Sequence, residues 1–204
     1  MKRLILDTKI MVACQSACGS AGITANIKIN EGMEKIIFLD IDGVLNPVHY
    51  MNAMYKMWKA SFNEIKSHDE YGQLFFYQNC EALQKIVDET GAKIVISSTW
   101  RMAGESEMKA LWKHRNLAGE IIGITPTETQ VVESGEAEFY DMVFRGMEIA
   151  HWIKHNNFTG NYVIIDDTVD MLKDQEQFFV LTNEYVGLTL KDAKRAVEIL
   201  NKTN

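Results

Sequence analysis

Two aspartates one residue apart, Asp40 and Asp42, follow an apolar run at residues 36–39 and precede Gly43. Such a run is typical of a buried strand, and alternation along a strand starts both acids on one face. Two carboxylates held this close repel each other unless a proton or a cation lies between them. Their oxygens suit Mg²⁺, and one carboxylate would be free to act as a nucleophile. The spacing therefore predicts a magnesium site with a reactive aspartate.

Hydroxyl side chains end the next apolar run, at residues 92–96. A hydroxyl and the N–H that follows it can hold a phosphoryl oxygen without adding charge. We expect Ser97 to make the main contact with such an oxygen and Ser98 the next. Arg101 either reaches a substrate phosphate or pairs with a surface acid. An ordinary polar turn has the same composition, so the prediction depends on the aspartate pair nearby.

A basic residue, Arg145, stands where residues 145–153 predict a helix to begin. A cation at this position opposes the helix dipole, and we interpret that local cost as a sign of function. An arginine here could bind a nucleophile and the charged oxygens of a phosphate. Lys154 is the alternative, but it lies late in the helix, where a surface position is expected. His151 and His155 have no metal-like partners in the sequence and are expected on the helix surface.

A last acidic group follows the apolar run at residues 160–165. Asp166 is the expected direct metal ligand, because a carboxylate at this strand end would complete an oxygen shell for Mg²⁺. Asp167 or Asp170 would orient a metal-bound water. An acidic turn that begins a helix would look the same, so this group also gains its meaning from the other three.

The elements that must position these groups alternate between apolar strands and amphipathic helices, as in a parallel sheet with helical crossovers. Strands are predicted near residues 36–39, 92–96, 120–126, 160–165 and 178–182, and helices near 79–91, 105–116, 145–153 and 190–201. The acidic segment 127–141 is predicted to be a loop.

Residues 47–76 interrupt the alternation with a stretch whose methionine and aromatic residues fit one helix. This insertion either packs on the main domain or forms a small cap over the active site. Residues 1–32 have little periodicity and are interpreted as an N-terminal extension, or as the product of an upstream start codon. One domain is therefore expected over residues 33–204.

Composition limits the alternatives further. A chain of 204 residues with 47% hydrophobic and 24% charged residues is ordinary for one globular domain. The net charge of −7 argues against broad, nonspecific binding of nucleic acid. Three cysteines do not form a disulfide framework, which favours a reducing, cytoplasmic location. No apolar run approaches the ~20 residues that a membrane-spanning helix needs.

Together the four groups resemble, in order, the motifs of the haloacid dehalogenase-like (HAD) phosphohydrolases. The resemblance covers about residues 35–200 and consists of Asp-x-Asp-Gly-Val, a strand ending in serine, a basic residue before Gly-x-x-Ile, and a strand ending in Asp-Asp. The strings Asp-Ile-Asp-Gly-Val-Leu-Asn, Ser-Ser-Thr-Trp-Arg and Tyr-Val-Ile-Ile-Asp-Asp further resemble the HAD domain of Swiss Army knife RNA-repair proteins. The resemblance implies a doubly wound, Rossmann-like α/β sheet with a small helical cap insertion.

The resemblance also implies a mechanism. Asp40 would attack phosphorus to give an aspartyl-phosphate, and Asp42 would protonate the leaving oxygen and then activate water. Mg²⁺ would be held by Asp40, Asp166 and the backbone carbonyl of Asp42, while Ser97 and Arg145 hold the transferring group. The expected substrate is a phosphorylated small molecule, a nucleotide or a nucleic-acid terminus. The alternative is a module of the same fold that binds a phospho-ligand or a partner without turnover.

Overall fold

The computed structural model describes residues 34–60 and 67–202, and the extension predicted at residues 1–32 lies outside them. The strands are β1 (Lys35–Leu39), β2 (His68–Asp69), β3 (Gly72–Gln73), β4 (Lys93–Ile96), β5 (Ile121–Ile124), β6 (Asn161–Asp166) and β7 (Phe179–Leu181). The α-helices are α1 (Val48–Ala60), α2 (Tyr77–Thr90), α3 (Glu105–His114), α4 (Glu128–Glu133), α5 (Arg145–His155) and α6 (Leu190–Leu200). None of these helices is long and apolar enough to span a membrane.

Five parallel strands form the main sheet in the order β5-β4-β1-β6-β7. The chain first moves outward from β1 and then returns to place β6 on the other side of β1, which confirms the predicted doubly wound fold. Leu39 lies opposite Ile96 of β4 and Ile165 of β6. The residues that follow these three positions therefore leave the sheet at the same level. In open α/β sheets this edge is where ligands bind.

Both faces of β1 are buried, as expected for the central strand of a parallel sheet. Ile37 and Leu39 belong to the apolar core that contains buried side chains of α2, α3 and α6. Ile36 and Phe38 point to the opposite face, where Ile149 of α5 is buried. Successive side chains of β1 thus point alternately into the two layers of the core, and the burial of the strand fixes the position of Asp40, which follows Leu39.

The insertion contains a β-hairpin as well as a helix, because α1 is followed by β2 and β3. Gly72 provides the turn with a φ of +99°, and the Asp69 carboxylate accepts a hydrogen bond from the Tyr71 N–H at 2.9 Å. Arg115 binds both oxygens of Asp69, at 2.8 and 2.9 Å. The anchor lies 46 residues away, so local periodicity gave no sign of it.

The segment 127–141, predicted to be a loop, contains α4, so that prediction was wrong. Thr127 begins the helix with a capping box in which its N–H donates to Gln130 Oε1 at 2.9 Å. Val131 is fully buried and anchors the helix to the domain. A short helix with one buried residue leaves too little apolar periodicity to detect in a sequence.

Candidate active site

Asp40 follows β1 directly and is buried, with 6% of its surface exposed. Its N–H donates to the Ile165 carbonyl of β6 at 3.0 Å, so the sheet pairing continues into the site. The nearby Ser98 hydroxyl favours the ionised form of the Asp40 carboxyl and so lowers its pKa. Burial and the nearby charge of Asp166 raise the pKa of Asp40 to about 7. The site therefore favours a cation or a proton beside this carboxylate.

Asp166 ends β6 and is almost completely buried. Its Oδ1 accepts hydrogen bonds from the Thr168 N–H at 2.9 Å and from the Thr168 hydroxyl at 2.8 Å. Its Oδ2 is buried and has no hydrogen bond to a described residue. Burial raises the pKa of Asp166 and of its half-buried neighbour Asp167. Asp40, Asp166 and Asp167 each offer an oxygen within 4.8 Å of the other two.

Gly43 allows Asp167 to approach the first strand. Its φ of +70° lies in the left-handed region, where an L side chain is strained. A Cβ at this position would lie 2.2 Å from Asp167 Oδ2. Turn geometry and space therefore both require glycine after the second aspartate.

Arg145 is the first residue of α5 and faces the acidic group. Its Nε lies 3.2 Å from Asp166 Oδ2, and its Nη2 lies 3.8 Å from Asp40 Oδ1. Its Nη1 lies 3.7 Å from Glu148 Oε2. These carboxylates offset the unfavourable helix dipole. Lys154, the alternative, is exposed and pairs with a different acid, Glu136.

Arg101 is buried, and like Arg145 it pairs with Glu148. Its Nη2 donates to Glu148 Oε1 at 2.5 Å, and its Nη1 donates to the Ser98 carbonyl at 3.0 Å. The acid that pairs with Arg101 is thus the buried Glu148, which is 4% exposed, rather than a surface acid. Glu148 was missed by the sequence analysis, although its place three residues after Arg145 would allow a contact between them.

Asp42 is exposed, unlike Asp40, and its carboxylate lies outside the group of three close oxygens. The Trp100 indole Nε1–H donates to Asp42 Oδ2 at 2.9 Å. The Asn46 amide donates to Asp42 Oδ1 at 3.1 Å. Neither partner was predicted, although both belong to the short motifs around Asp42 and Ser98. The arrangement leaves the second aspartate open to solvent while its side chain is held at both oxygens.

Of the remaining predicted residues, Ser97 and Ser98 lie at the strand ends that form the site, whereas the carboxylate of Asp170 is outside the acidic group. The Ser97 N–H donates to the Leu39 carbonyl at 2.8 Å, while its buried Oγ has no hydrogen bond to a described residue. Ser98 Oγ, besides lying near Asp40, accepts the Trp100 N–H at 3.4 Å. Asp170 is exposed, and its backbone carbonyl accepts the Gly146 N–H at 2.8 Å. Its carboxylate is not part of the close group, and its support of a metal-bound water stays a prediction.

The acidic group fits a hard divalent cation. Its donors are all carboxylate oxygens, the ligands that Mg²⁺ prefers over nitrogen or sulfur. Asp166 Oδ2 is buried, has no hydrogen bond, and pairs only with Arg145 Nε at 3.2 Å among the ion pairs of the described residues, so it can still accept a metal ion. Among the described residues a second group of close ligand atoms consists of Glu136, His151 and His155, so these histidines do have an acidic partner. Glu136 also binds Lys154 at 2.5 Å, which competes with a metal there.

The parallel sheet, with aspartates after β1 and β6 and serines after β4, defines a HAD-like protein. The model of the family described as the HAD domain in Swiss Army Knife RNA repair proteins matches residues 36–193. This match covers most of the chain, and the chain belongs to that family. A solved structure described as a HAD superfamily (subfamily III A) hydrolase from Legionella pneumophila is 14% identical and covers 83% of this chain and 85% of its own, with a TM-score of 0.36. No curated protein matches the chain.

Proposed function

We propose that this protein is a magnesium-dependent phosphatase that hydrolyses a phosphomonoester through an aspartyl-phosphate at Asp40. One observation carries the proposal: the buried Asp40 carboxylate lies beside oxygens of Asp166 and Asp167, with the Arg145 guanidinium 3.8 Å away. This arrangement supports a nucleophile at Asp40, with one cationic donor and a set of candidate metal ligands around it. Membership of the HAD family supports phosphohydrolase chemistry in general.

In the first step a lone pair of Asp40 attacks phosphorus, and the bond between phosphorus and the leaving oxygen breaks. Arg145 and the free Ser97 hydroxyl stabilise the charge on the transferring group, since both have buried polar atoms without hydrogen bonds to described residues. Mg²⁺ held by Asp40, Asp166 and Asp167 would neutralise charge on the phosphoryl oxygens. The raised pKa of Asp40 supports this assignment, because a bound cation would keep the nucleophile ionised.

Asp42 serves as the general acid in the first step and as the general base in the second. It gives its proton to the leaving oxygen and then removes a proton from the water that hydrolyses the aspartyl-phosphate. Its exposed carboxylate is accessible to the leaving group of a substrate that binds from solvent. The half-buried Asp167 and the buried Asp166 lack that access.

We infer that the substrate is a nucleotide or a nucleic-acid end. The family to which the chain belongs is described from RNA repair proteins. Exposed aromatic side chains also lie in the segment before Arg145, and such rings stack on unpaired bases. They are Phe139, Tyr140 and Phe144, with 56%, 59% and 36% of their surfaces exposed. Comparing a phosphorylated oligonucleotide with a mononucleotide and a sugar phosphate would test this inference.

Phosphate release from p-nitrophenyl phosphate tests the reaction itself. We expect turnover with magnesium, none with EDTA, and none for Asp40→Asn. Asp174→Asn is the matched control, since Asp174 is an exposed acid outside the site. Activity that survives in Asp40→Asn would contradict the mechanism. Phosphate binding without turnover in the wild type would favour the alternative, a phospho-ligand-binding module. A cytoplasmic location stays a prediction of the sequence.

A further inference from the structure

The indole of Trp100 contacts a predicted catalytic acid. Its Nε1–H donates to Asp42 Oδ2 at 2.9 Å, while Asn46 donates to the other oxygen at 3.1 Å. An exposed aspartate with no such donors would sample several rotamers. With both oxygens bound, the Asp42 carboxylate is held in one orientation at the mouth of the site.

The indole is itself fixed from behind. Its ring packs edge-on against Phe75, with the ring centroids 5.4 Å apart and the planes at 65°. Phe75 is buried, and the Arg115 guanidinium lies 4.4 Å from the centroid of its ring. Arg115 is held in turn by Asp69 of the hairpin. A continuous set of contacts therefore joins the hairpin of the insertion to the indole that binds Asp42.

The backbone of Trp100 also lies close to the nucleophile. Its N–H donates to Ser98 Oγ at 3.4 Å, and that hydroxyl lies near Asp40. The same residue thus touches the nucleophile's partner through its backbone and the general acid through its side chain. Trp100 therefore links the position of Asp42 to the position of Asp40.

We propose that Trp100 is a positioning residue for Asp42, which it aims at the leaving oxygen of the substrate. The inference rests on the proposed phosphatase function. The indole acts on the reaction only through Asp42, because it contacts neither the carboxylate of Asp40 nor the acids of the metal group. In the first step it affects only the transfer of a proton to the leaving group. In the second step it acts through the water that Asp42 activates, and that effect is the same for every substrate because the aspartyl-phosphate is the same. The effect of losing the indole N–H must therefore depend on how much the leaving group needs that proton.

Two substrates separate this role from a structural one. The p-nitrophenolate ion leaves readily without a proton, whereas the alkoxide of glycerol 2-phosphate does not. In Trp100→Phe, which keeps a ring against Phe75 but removes the N–H donor, we expect kcat/KM for glycerol 2-phosphate to fall about tenfold or more. For p-nitrophenyl phosphate we expect kcat/KM to fall by less than about threefold, since kcat/KM reports only the steps up to release of the leaving group.

Trp112→Phe is the matched control. Trp112 also packs against Phe75, at 6.3 Å, and also donates an indole hydrogen bond, to the Ala118 carbonyl at 2.8 Å. It lies in the core rather than at the site, so any loss must be equal for both substrates. An equal loss for both substrates in Trp100→Phe, or no loss, contradicts the positioning role of Trp100 but leaves the proposed phosphatase function standing. A wild type that hydrolyses neither ester contradicts the proposed function and the inference that rests on it.

A second measurement needs no turnover. The ¹H–¹⁵N signal of the Trp100 indole, assigned by its absence in Trp100→Phe, should move in Asp42→Ala, because the variant lacks the acceptor. The other three tryptophan signals should stay in place. A Trp100 signal that does not move would overturn the contact on which the inference depends.

Discussion

The Nε of Arg145 lies 3.2 Å from Asp166 Oδ2, which ties the first residue of α5 to the end of β6. The same guanidinium is 3.8 Å from Asp40, which follows the neighbouring strand β1. One cation therefore bridges the ends of β1 and β6, the two neighbouring strands between which the strand order of the sheet switches sides. Among the described residues, Arg145 is the only arginine that pairs with both Asp40 and Asp166 at the predicted phosphate site.

Replacing Arg145 should reduce the rate of the chemical step. We expect Arg145→Met to lower kcat by about 10²–10³, the usual effect of removing one donor to a developing negative charge. Arg145→Lys should recover only part of the loss, because an ammonium cannot contact three carboxylates in the geometry of a planar guanidinium. Steady-state kinetics on p-nitrophenyl phosphate would measure both effects. A variant with unchanged kcat would remove Arg145 from the mechanism.

The buried pair of Arg101 and Glu148 gives a prediction about stability. Each side chain is 5% exposed, so removing one partner leaves a buried, unpaired charge. Glu148→Gln should lower the free energy of unfolding by about 3–5 kcal/mol, measured by urea denaturation. The double variant Arg101→Met/Glu148→Met should recover much of that loss, because two apolar side chains leave no charge unpaired. A single variant as stable as the wild type would contradict the importance of this pair.

Gly43 and Gly135 offer a matched comparison of strain and space. Both have a φ in the left-handed region, +70° and +79°, where alanine costs about 1–2 kcal/mol. Only at Gly43 would the new Cβ collide with a side chain, at 2.2 Å from Asp167 Oδ2. Gly43→Ala should therefore raise the magnesium concentration needed for half-maximal activity, whereas Gly135→Ala should lower stability alone. Equal magnesium dependence in both variants would argue against Asp167 as part of the metal site.

The metal site itself can be tested at Asp166. Asp166→Asn keeps the size of the side chain but removes the charge of a buried residue that we propose as a metal ligand, and it should weaken magnesium activation by about tenfold or more. Glu136→Gln is the control, because Glu136 belongs to the separate group with His151 and His155. Titrating phosphatase activity with magnesium would separate the two. A larger effect in Glu136→Gln would show that the activating metal binds at Glu136 and its histidine neighbours, and it would contradict the metal site at Asp166.

Asp69 gives a pH dependence with a definite sign. Hydrogen bonds from Arg115 hold the pKa of Asp69 at about 2, below its usual 3.8. The folded state thus binds this proton less readily than the unfolded state, and the pair contributes its full stability above about pH 4. That contribution is lost as the pH falls towards 2.

Urea unfolding of the wild type and Asp69→Asn at several pH values would measure this contribution. The difference in unfolding free energy between them should shrink on acidification. Glu89→Gln, which removes an exposed partner of Lys85, should show a difference of at most about 1 kcal/mol at any pH. A difference for Asp69→Asn that stays constant between pH 5 and pH 2 would contradict the assigned pKa.

Sequence reasoning located the strand-end acids because apolar runs mark buried strands and parallel strands share an edge. Asp40 and Asp166 could thus be brought together without knowing any side-chain contact. The partners that hold the site were missed for a physical reason. Trp100 and Asp42 are separated by 58 residues, and Arg101 and Glu148 by 47. Such contacts depend on crossover geometry and rotamers, which periodicity does not encode.

Trapping the covalent intermediate is the most direct test of the central claim. The enzyme would be mixed with substrate and magnesium and quenched in acid, and acyl phosphates would be reduced with borohydride before peptide mass spectrometry. We predict conversion of Asp40 to homoserine only in samples that received substrate, with Asp42 and Asp166 unmodified. Turnover in the absence of any modification at Asp40, or modification of another aspartate, would contradict Asp40 as the nucleophile.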